Sequence, residues 1–365
     1  MTLENEIEKG RQTLRTDGYA MSIGEWISLY ENKEIEIHPE FQRFFRWSDA
    51  QKSRLVESLI LGIPIPSVFV SQREDGVWDV VDGLQRLSTI YELVGILKDE
   101  KGQAKEPLRL QKTKYIPSLE GYQWEGEKTL PENIKLLVKR TKINLSILLR
   151  ESDELAKYEL FQRLNTGGSS LTEQEVRNCV LLMVNRERYI WLKDLSNNNH
   201  FINCISLSDR AMIEQYNVEL ALRFIVLALS PIDSLFPMTD IGEFLTDKMN
   251  EVVSKPTFNQ DTLGEIFTKT FEIIDNHVGE NVFRRRDTNT GKYKGGFSLS
   301  AFEVVALGIA YNLNENTLVD ESQIEGIVHA LWDNNEYQTN SGSGFRAAGR
   351  LPALLPLGRQ LFKRA

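Results

Sequence analysis

The sequence predicts an α+β head followed by an all-helical C-terminal domain, and three observations carry that prediction. From about Ile23 to Asn178, short β-type runs bounded by Gly and Pro alternate with helical stretches. Beyond roughly Asn185 the strand signal fades and apolar residues recur at helical spacing. A chain of 365 residues with 41% hydrophobic content can bury one large or two ordinary cores, and its length favours two domains. The predicted domains are therefore 1–185 and 186–365.

Within the head, Ser48 and Gln51 stand at capping-box spacing, and Leu55, Val56, Leu59 and Ile60 then form one apolar face ending at Gly62, so a helix is expected there. Pro64 and Pro66 hold the chain extended into a strand at Val68-Phe69-Val70. Asp75-Gly76 reads as a tight hairpin turn, and Val77 to Val81 returns as a second strand. Asp82-Gly83 then opens another helix, in which Leu87, Ile90, Val94 and Leu97 fall on one face. A glycine turn between strand and helix leaves the first N–H groups of the helix without intrahelical acceptors, and the helix dipole favours negative charge there. That turn is the predicted phosphate seat.

The polar interval from Lys98 to Asn133 reads as an excursion within the head, and Ile143 to Leu148 as a further strand. Ser152 to Leu164 has helical character, Asn165 to Ser170 forms a turn, and Thr172 with Glu175 has the spacing of a second capping box. In the C-terminal half, helices are expected over Asp209 to Leu229, Thr239 to Val253, Thr262 to Val278, Ser300 to Leu313, Glu321 to Trp332 and Arg350 to Phe362. Asn340 to Gly344 is a linker into the last of them. Cys179 and Cys204, without a Cys-x-x-Cys pair, read as buried thiols rather than a disulfide or a zinc site.

Four stretches together carry a family pattern: Phe41-Gln42-Arg43 with Trp47; Leu55 to Pro66; Val80 to Ile90 around Asp82-Gly83-x-Gln85-Arg86; and Leu160 to Gly168, with Arg163, Asn165, Gly167 and Gly168. They resemble the N-terminal domain of the GmrSD type IV restriction enzymes, which looks like a branch of the ParB/sulfiredoxin fold. The resemblance implies a nucleotide-responsive domain used against phage or foreign DNA, often hydrolysing a nucleoside triphosphate and coupled to a nuclease. The family's central motif is Asp-Gly-Gln-Gln-Arg, and here Leu84 replaces its first glutamine with a side chain that cannot hydrogen-bond. In the sulfiredoxin branch the corresponding turn carries a catalytic cysteine. No cysteine lies near Gly83, which excludes that redox chemistry.

On this resemblance Asp82, Gln85 and Arg86 are the candidate catalytic residues, and Arg43, Gly83, Arg86, Arg163, Asn165, Gly167 and Gly168 the candidate nucleotide contacts. Gly83 would let the backbone approach phosphates, and Arg86 and Arg43 would supply bidentate charge. Asn165, Gly167 and Gly168 would close the other side. Asp82 would hold a Mg²⁺ through water or orient the attacking water, which Gln85 would position. Glu159 joins Arg163 and Asn165 as a loose counterpart of the Glu-Asn-x-x-Arg element of ParB-type switches. Each residue also has a plainer reading: Asp82-Gly83 as a simple turn, Asn165 as a cap, Arg46 as an edge ion pair, Trp47 and Trp78 as core packing, Arg177-Asn178 as helix surface.

Two functions follow. A nucleotide-binding, NTP-hydrolysing regulatory subunit of a restriction system, acting with a separate nuclease or effector, is favoured by the intact Asp82, Gly83, Gln85 and Arg86. A non-catalytic ParB-like module that binds DNA or a partner and senses nucleotide without turnover is favoured by Leu84. The four histidines stand apart with no His-Asn-His finger, and no Gly-x-Ser-x-Gly elbow is present, so cutting chemistry is expected in a partner chain. A net charge of −9 opposes a general DNA coat. One basic island, Arg284-Arg285-Arg286 with Lys292, Lys294 and Gly295-Gly296, is expected to be a flexible loop, either merely solvated or touching nucleic-acid phosphates. With no signal-type N-terminus and no run approaching ~18 apolar residues, the expected compartment is the cytoplasm, with no membrane contact. Self-association is left open.

Overall fold

The computed structural model describes residues 2–3, 5, 16–37, 47–99, 102–149, 173–235, 238–254, 258–287, 290–342 and 345–364. The chain separates into two units, Met1–Leu171 and Thr172–Ala365. The first is mixed α/β. Its strands are β1 (Thr16–Ser22), β2 (Ile35–Glu36), β3 (Val68–Gln72), β4 (Trp78–Asp82) and β5 (Lys142–Leu148), and its helices α1 (Ile23–Glu31), α2 (Asp49–Leu61), α3 (Leu84–Leu93) and α4 (Glu132–Arg140).

The five strands form one sheet in the order β1-β5-β3-β4-β2. β5 lies parallel to β3 and β2 parallel to β4, while β1 with β5 and β3 with β4 are antiparallel. The β3–β4 pair is the hairpin expected from Asp75-Gly76: Gly76 turns at φ 86, and Arg73 N–H donates to the Val77 carbonyl. α2 forms as its caps dictate. Ser48 Oγ accepts from Gln51 N–H, the Gln51 side chain accepts from Ser48 N–H, and Gly62 closes the helix in the left-handed region. α1 begins with a second capping box, Ser22 with Glu25.

Sheet and helices share one apolar core in which Ile23, Trp26, Val56, Leu59, Val68, Val70, Leu87, Ile90 and Tyr91 are wholly buried. Trp47 and Trp78 pack against it, as the plainer reading holds. The Lys98–Asn133 excursion inserts Leu108, Leu110, Leu119, Trp124 and Leu130 into that core. It is pinned by Glu57, whose carboxylate accepts the N–H groups of Tyr115 and Ile116 at 2.8 and 2.9 Å.

The second unit is largely helical: α5 (Glu173–Val184), α6 (Arg186–Ser196), α7 (Asn199–Ile205), α8 (Asp209–Ile213), α9 (Tyr216–Leu227), α10 (Ile241–Ser254), α11 (Gln260–His277), α12 (Leu299–Asn314), α13 (Ile324–Leu331), α14 (Asn335–Asn340) and α15 (Ala347–Leu361). The helix expected over Asp209 to Leu229 is two, broken where Gln215 takes a left-handed φ of 60. The all-helical expectation fails at the basic island. Arg284–Arg286 and Tyr293–Phe297 are antiparallel strands, β6 and β7, of a hydrogen-bonded ribbon rather than a flexible loop.

The unit's core is an aromatic cluster of Phe201, Phe224, Phe267, Phe271, Phe283 and Phe302. A ladder of alternating charges runs beside it: Glu173, Arg177, Glu219, Arg223, Glu303 and Arg350 are linked in sequence by contacts of 2.7 to 3.9 Å. Arg177 is 1% exposed, so the helix-surface reading of that residue is overturned. Cys204 is buried as expected, and burial pushes its thiol well above the usual range.

Candidate functional site at the β4 to α3 turn

Among the described residues, Asp82, Gly83, Gln85 and Arg86 stand at one bend. β4 ends at Asp82, Gly83 occupies the N-cap of α3 at φ 101 and ψ 7 without any side-chain cap, and Leu87 N–H is bonded to the Gly83 carbonyl. The N–H groups of Leu84, Gln85 and Arg86 therefore lie ahead of the helical ladder and point along its axis, where negative charge is favoured. The strand pairing is irregular just before the turn. Phe69 faces Asp82 while Val70 faces Val80, so Val81 is an extra residue that re-aims the chain.

Gly83 is required twice over. A Cβ there would stand 2.8 Å from Val68 Cγ2 and 3.3 Å from Arg86 Nη2, on a backbone that L side chains rarely adopt. Gly83→Ala is expected to lower the stability of the first unit by about 2 kcal/mol. Thermal unfolding of wild type and variant measures it, and an unchanged midpoint would mean that the turn is not held in this conformation.

Arg86 and Asp82 meet directly. Arg86 Nη2 donates to Asp82 Oδ2 at 2.7 Å and Nη1 donates to the Pro66 carbonyl at 2.7 Å. The guanidinium is nearly buried, with its side chain 10% exposed, whereas Asp82 is 32% exposed. Sequence reasoning sends Arg86 toward a phosphate. In the structure two of its nitrogens are spent inside the protein, bracing Asp82 and the Pro66 segment at the mouth of the turn. The spacing of Asp82 and Arg86, four residues apart at a helix start, was a usable signal for that pair. The Pro66 carbonyl had no such signal, because a backbone acceptor is invisible in sequence. Leu84, which takes the place of a glutamine, is half-buried and packed against the core.

Asp82, Gly83, Gln85 and Arg86 are thus brought together within one turn. Arg43, Arg163, Asn165, Gly167 and Gly168, together with Glu159, lie outside the described residues. Among the described residues no group of three or more His, Cys, Asp or Glu is placed to hold a metal. A Mg²⁺ bound mainly by phosphate oxygens needs only one or two protein carboxylates, and the partly exposed Asp82 fits that demand.

The residues that build this turn lie inside a recognised family segment. A family model described as GmrSD restriction endonuclease, N-terminal domain, matches residues 23–182. This segment is similar to the GmrSD N-terminal family. The GmrSD-type segment runs from the first residue of α1 into α5, so it contains the whole β4 to α3 turn and also Arg177. It covers less than half of the 365-residue chain. Comparison with curated proteins and with solved structures finds no match. No helix among the described residues is long and apolar enough to cross a membrane.

Proposed function

We propose that this protein is a nucleotide-binding regulatory component of a restriction system directed at phage or foreign DNA, and that its first unit is a ParB/sulfiredoxin-like domain seating a nucleoside triphosphate at the start of α3. The observation that carries the reading is the uncapped Gly83 turn, with Asp82 fixed beside it by Arg86, inside the GmrSD-type segment. The first N–H groups of α3 would donate to phosphate oxygens. Asp82 would hold a phosphate-bound Mg²⁺, whose charge would offset that of the phosphates. Gln85 would position a water, Arg43 would add bidentate charge, Asn165, Gly167 and Gly168 would close the other side, and Arg163 would be a further nucleotide contact. Arg86 would act through Asp82, fixing the carboxylate that would hold the metal. Cytoplasmic action with a separate nuclease completes the proposal. His200, His277 and His329 are paired with Asp275, Glu321 and Tyr293 respectively.

One observation favours turnover-free sensing instead. Leu84 presents its side chain to the core at the position that carries glutamine in the family motif. Calorimetry with the four nucleoside triphosphates and Mg²⁺, followed by a phosphate-release assay, separates the two readings. Saturable binding with release supports the hydrolase, binding without release supports the sensor, and no heat with any nucleotide sinks both. With a hydrolysable nucleotide identified, Arg86→Ala should slow phosphate release at least tenfold, since it frees Asp82 to wander. Equal rates would remove Arg86 from the mechanism.

A further inference from the structure

The basic island is a built surface, and its construction says what it fits. The stretch from Arg284 to Phe297 holds five cations and one carboxylate in a chain whose net charge is −9. Lys294 spends its charge on Asp287 at 2.6 Å. Arg284 lies along the ribbon, donating to the Gly295 carbonyl and to Asn281 Oδ1, neutral acceptors that leave its charge intact. Arg285 and Lys292 are exposed, and among the described residues no carboxylate pairs with either. The result is a ribbon with a surplus of positive charge on its open side.

The ribbon is also held rigidly. Tyr293 Oη meets His329 Nε2 of α13 at 3.1 Å, and Phe297 packs edge-on to Phe283 and Tyr216. Arg285 stands opposite Lys294 in the pairing register, and beyond them Gly295 and Gly296 have open space where a Cβ would stand. These two positions therefore put no side chain of their own between a polyanion and the backbone.

We propose that the β6–β7 ribbon is a docking surface for double-stranded DNA. Single strands are held chiefly by bases stacking on exposed aromatic rings, and here both ribbon aromatics are turned inward, Tyr293 to His329 and Phe297 to the core. A duplex needs only phosphate contacts and a groove. The B-form major groove, roughly 12 Å wide, admits a two-stranded β-ribbon, whereas the deep, narrow major groove of A-form RNA does not. The inference is independent of nucleotide binding in the first unit and is tested without nucleotide.

The experiment is fluorescence anisotropy with the full chain and a fluorescent 20-base-pair DNA across a salt series, alongside duplex RNA and single-stranded DNA of the same sequence. Arg285→Glu/Lys292→Glu is compared with Arg210→Glu/Lys269→Glu, which changes net charge equally at exposed helix positions elsewhere in the unit. Circular dichroism confirms that all variants are folded. The expected result is duplex DNA preferred over both alternatives, with affinity falling as salt rises. The ribbon variant should lose at least tenfold in affinity and flatten the log–log salt slope by about 2, roughly one for each lost phosphate contact. The control pair should bind like wild type. Wild-type-like binding by the ribbon variant, equal loss in the control pair, no DNA binding at low salt, or tighter binding of duplex RNA or single strands would each overturn the proposal.

Discussion

Replacing Glu303 with alanine is expected to destabilise the second unit by about 3–5 kcal/mol, because it strands positive charge in the core. Glu303 is 0% exposed and sits in the second turn of α12. Its two oxygens accept Arg350 Nε and Nη2 at 2.7 and 2.8 Å, a bidentate geometry that fixes α15 against α12. Arg223 Nη1, buried and without a hydrogen-bond acceptor, lies 3.9 Å from the same carboxylate. Burial works against the charge of Arg350, yet the hydrogen bonds and charge of Glu303 outweigh it and hold the guanidinium above its usual value. The variant keeps both arginines and removes their shared counter-ion. Arg223 retains Glu219 at 2.7 Å, so the loss falls mainly on Arg350 and the α12–α15 contact.

Two comparisons sharpen that expectation. Glu303→Gln keeps the shape and one acceptor and should cost less than alanine. Glu303→Met with Arg350→Met removes both charges together and should be milder than Glu303→Ala alone, since an apolar pair leaves no uncompensated ion. Native-state hydrogen exchange of the α12 amides reads the unit by itself, without requiring the whole chain to unfold in one step. Protection in Glu303→Ala within about 1 kcal/mol of wild type would show that the ladder adds nothing to stability.

The parts of this fold that could be read in advance are those whose cause is local. Ser48 and Gln51 cap α2 because four consecutive residues suffice to make the reciprocal bonds, and Asp75-Gly76 turns the β3–β4 hairpin because glycine accepts φ 86. Gly83 and the start of α3 are legible for the same reason. What could not be read has its cause elsewhere in the chain. Nothing near Ile143 says that β5 will lie between β1 and β3, parallel to one and antiparallel to the other. The charged residues of the ladder look like ordinary solvated positions until α5, α9, α12 and α15 converge. Lys292, Lys294, Gly295 and Gly296 have low strand propensity, and the ribbon is anchored where Tyr293 and Phe297 meet His329 and Tyr216 on distant helices.

At the candidate site the same division holds. The turn and its glycine were legible; the pairing of Arg86 with Asp82 was legible in spacing but assigned to a ligand; and the Pro66 carbonyl that completes the brace was not legible at all. Arg177 illustrates the converse. It follows the second predicted capping box as in the family pattern, yet its guanidinium is consumed by Gln174, Gly242 and Glu219 within the second unit. Within the GmrSD-type segment, one arginine therefore serves the turn and the other serves a helical core.

The other large effect expected is at Gly358, where α15 crosses α12. A Cβ at Gly358 would run into the Val304 carbonyl, and one at Gly308 would stand 2.5 Å from the Gly358 carbonyl oxygen. The obstacles are main-chain atoms of two helices, which cannot rotate away as a side chain can. Asn312 ties the same crossing, donating to the Gly308 and Arg359 carbonyls at 2.9 Å each. Gly358→Val should therefore force the helices apart, break those bonds, and cost at least ~3 kcal/mol, at the upper end of overpacking effects. Helix propensity alone predicts the opposite sign, since glycine is roughly 1 kcal/mol worse than alanine within a helix. Gly326 in α13 supplies the control: nothing stands within 4 Å of its missing Cβ, and Gly326→Ala should leave stability unchanged or raise it by up to ~1 kcal/mol. Denaturant unfolding of the two variants gives opposite signs if close backbone contact, rather than propensity, governs this helix pair. A Gly358→Val protein as stable as wild type would mean that α12 and α15 do not approach this closely.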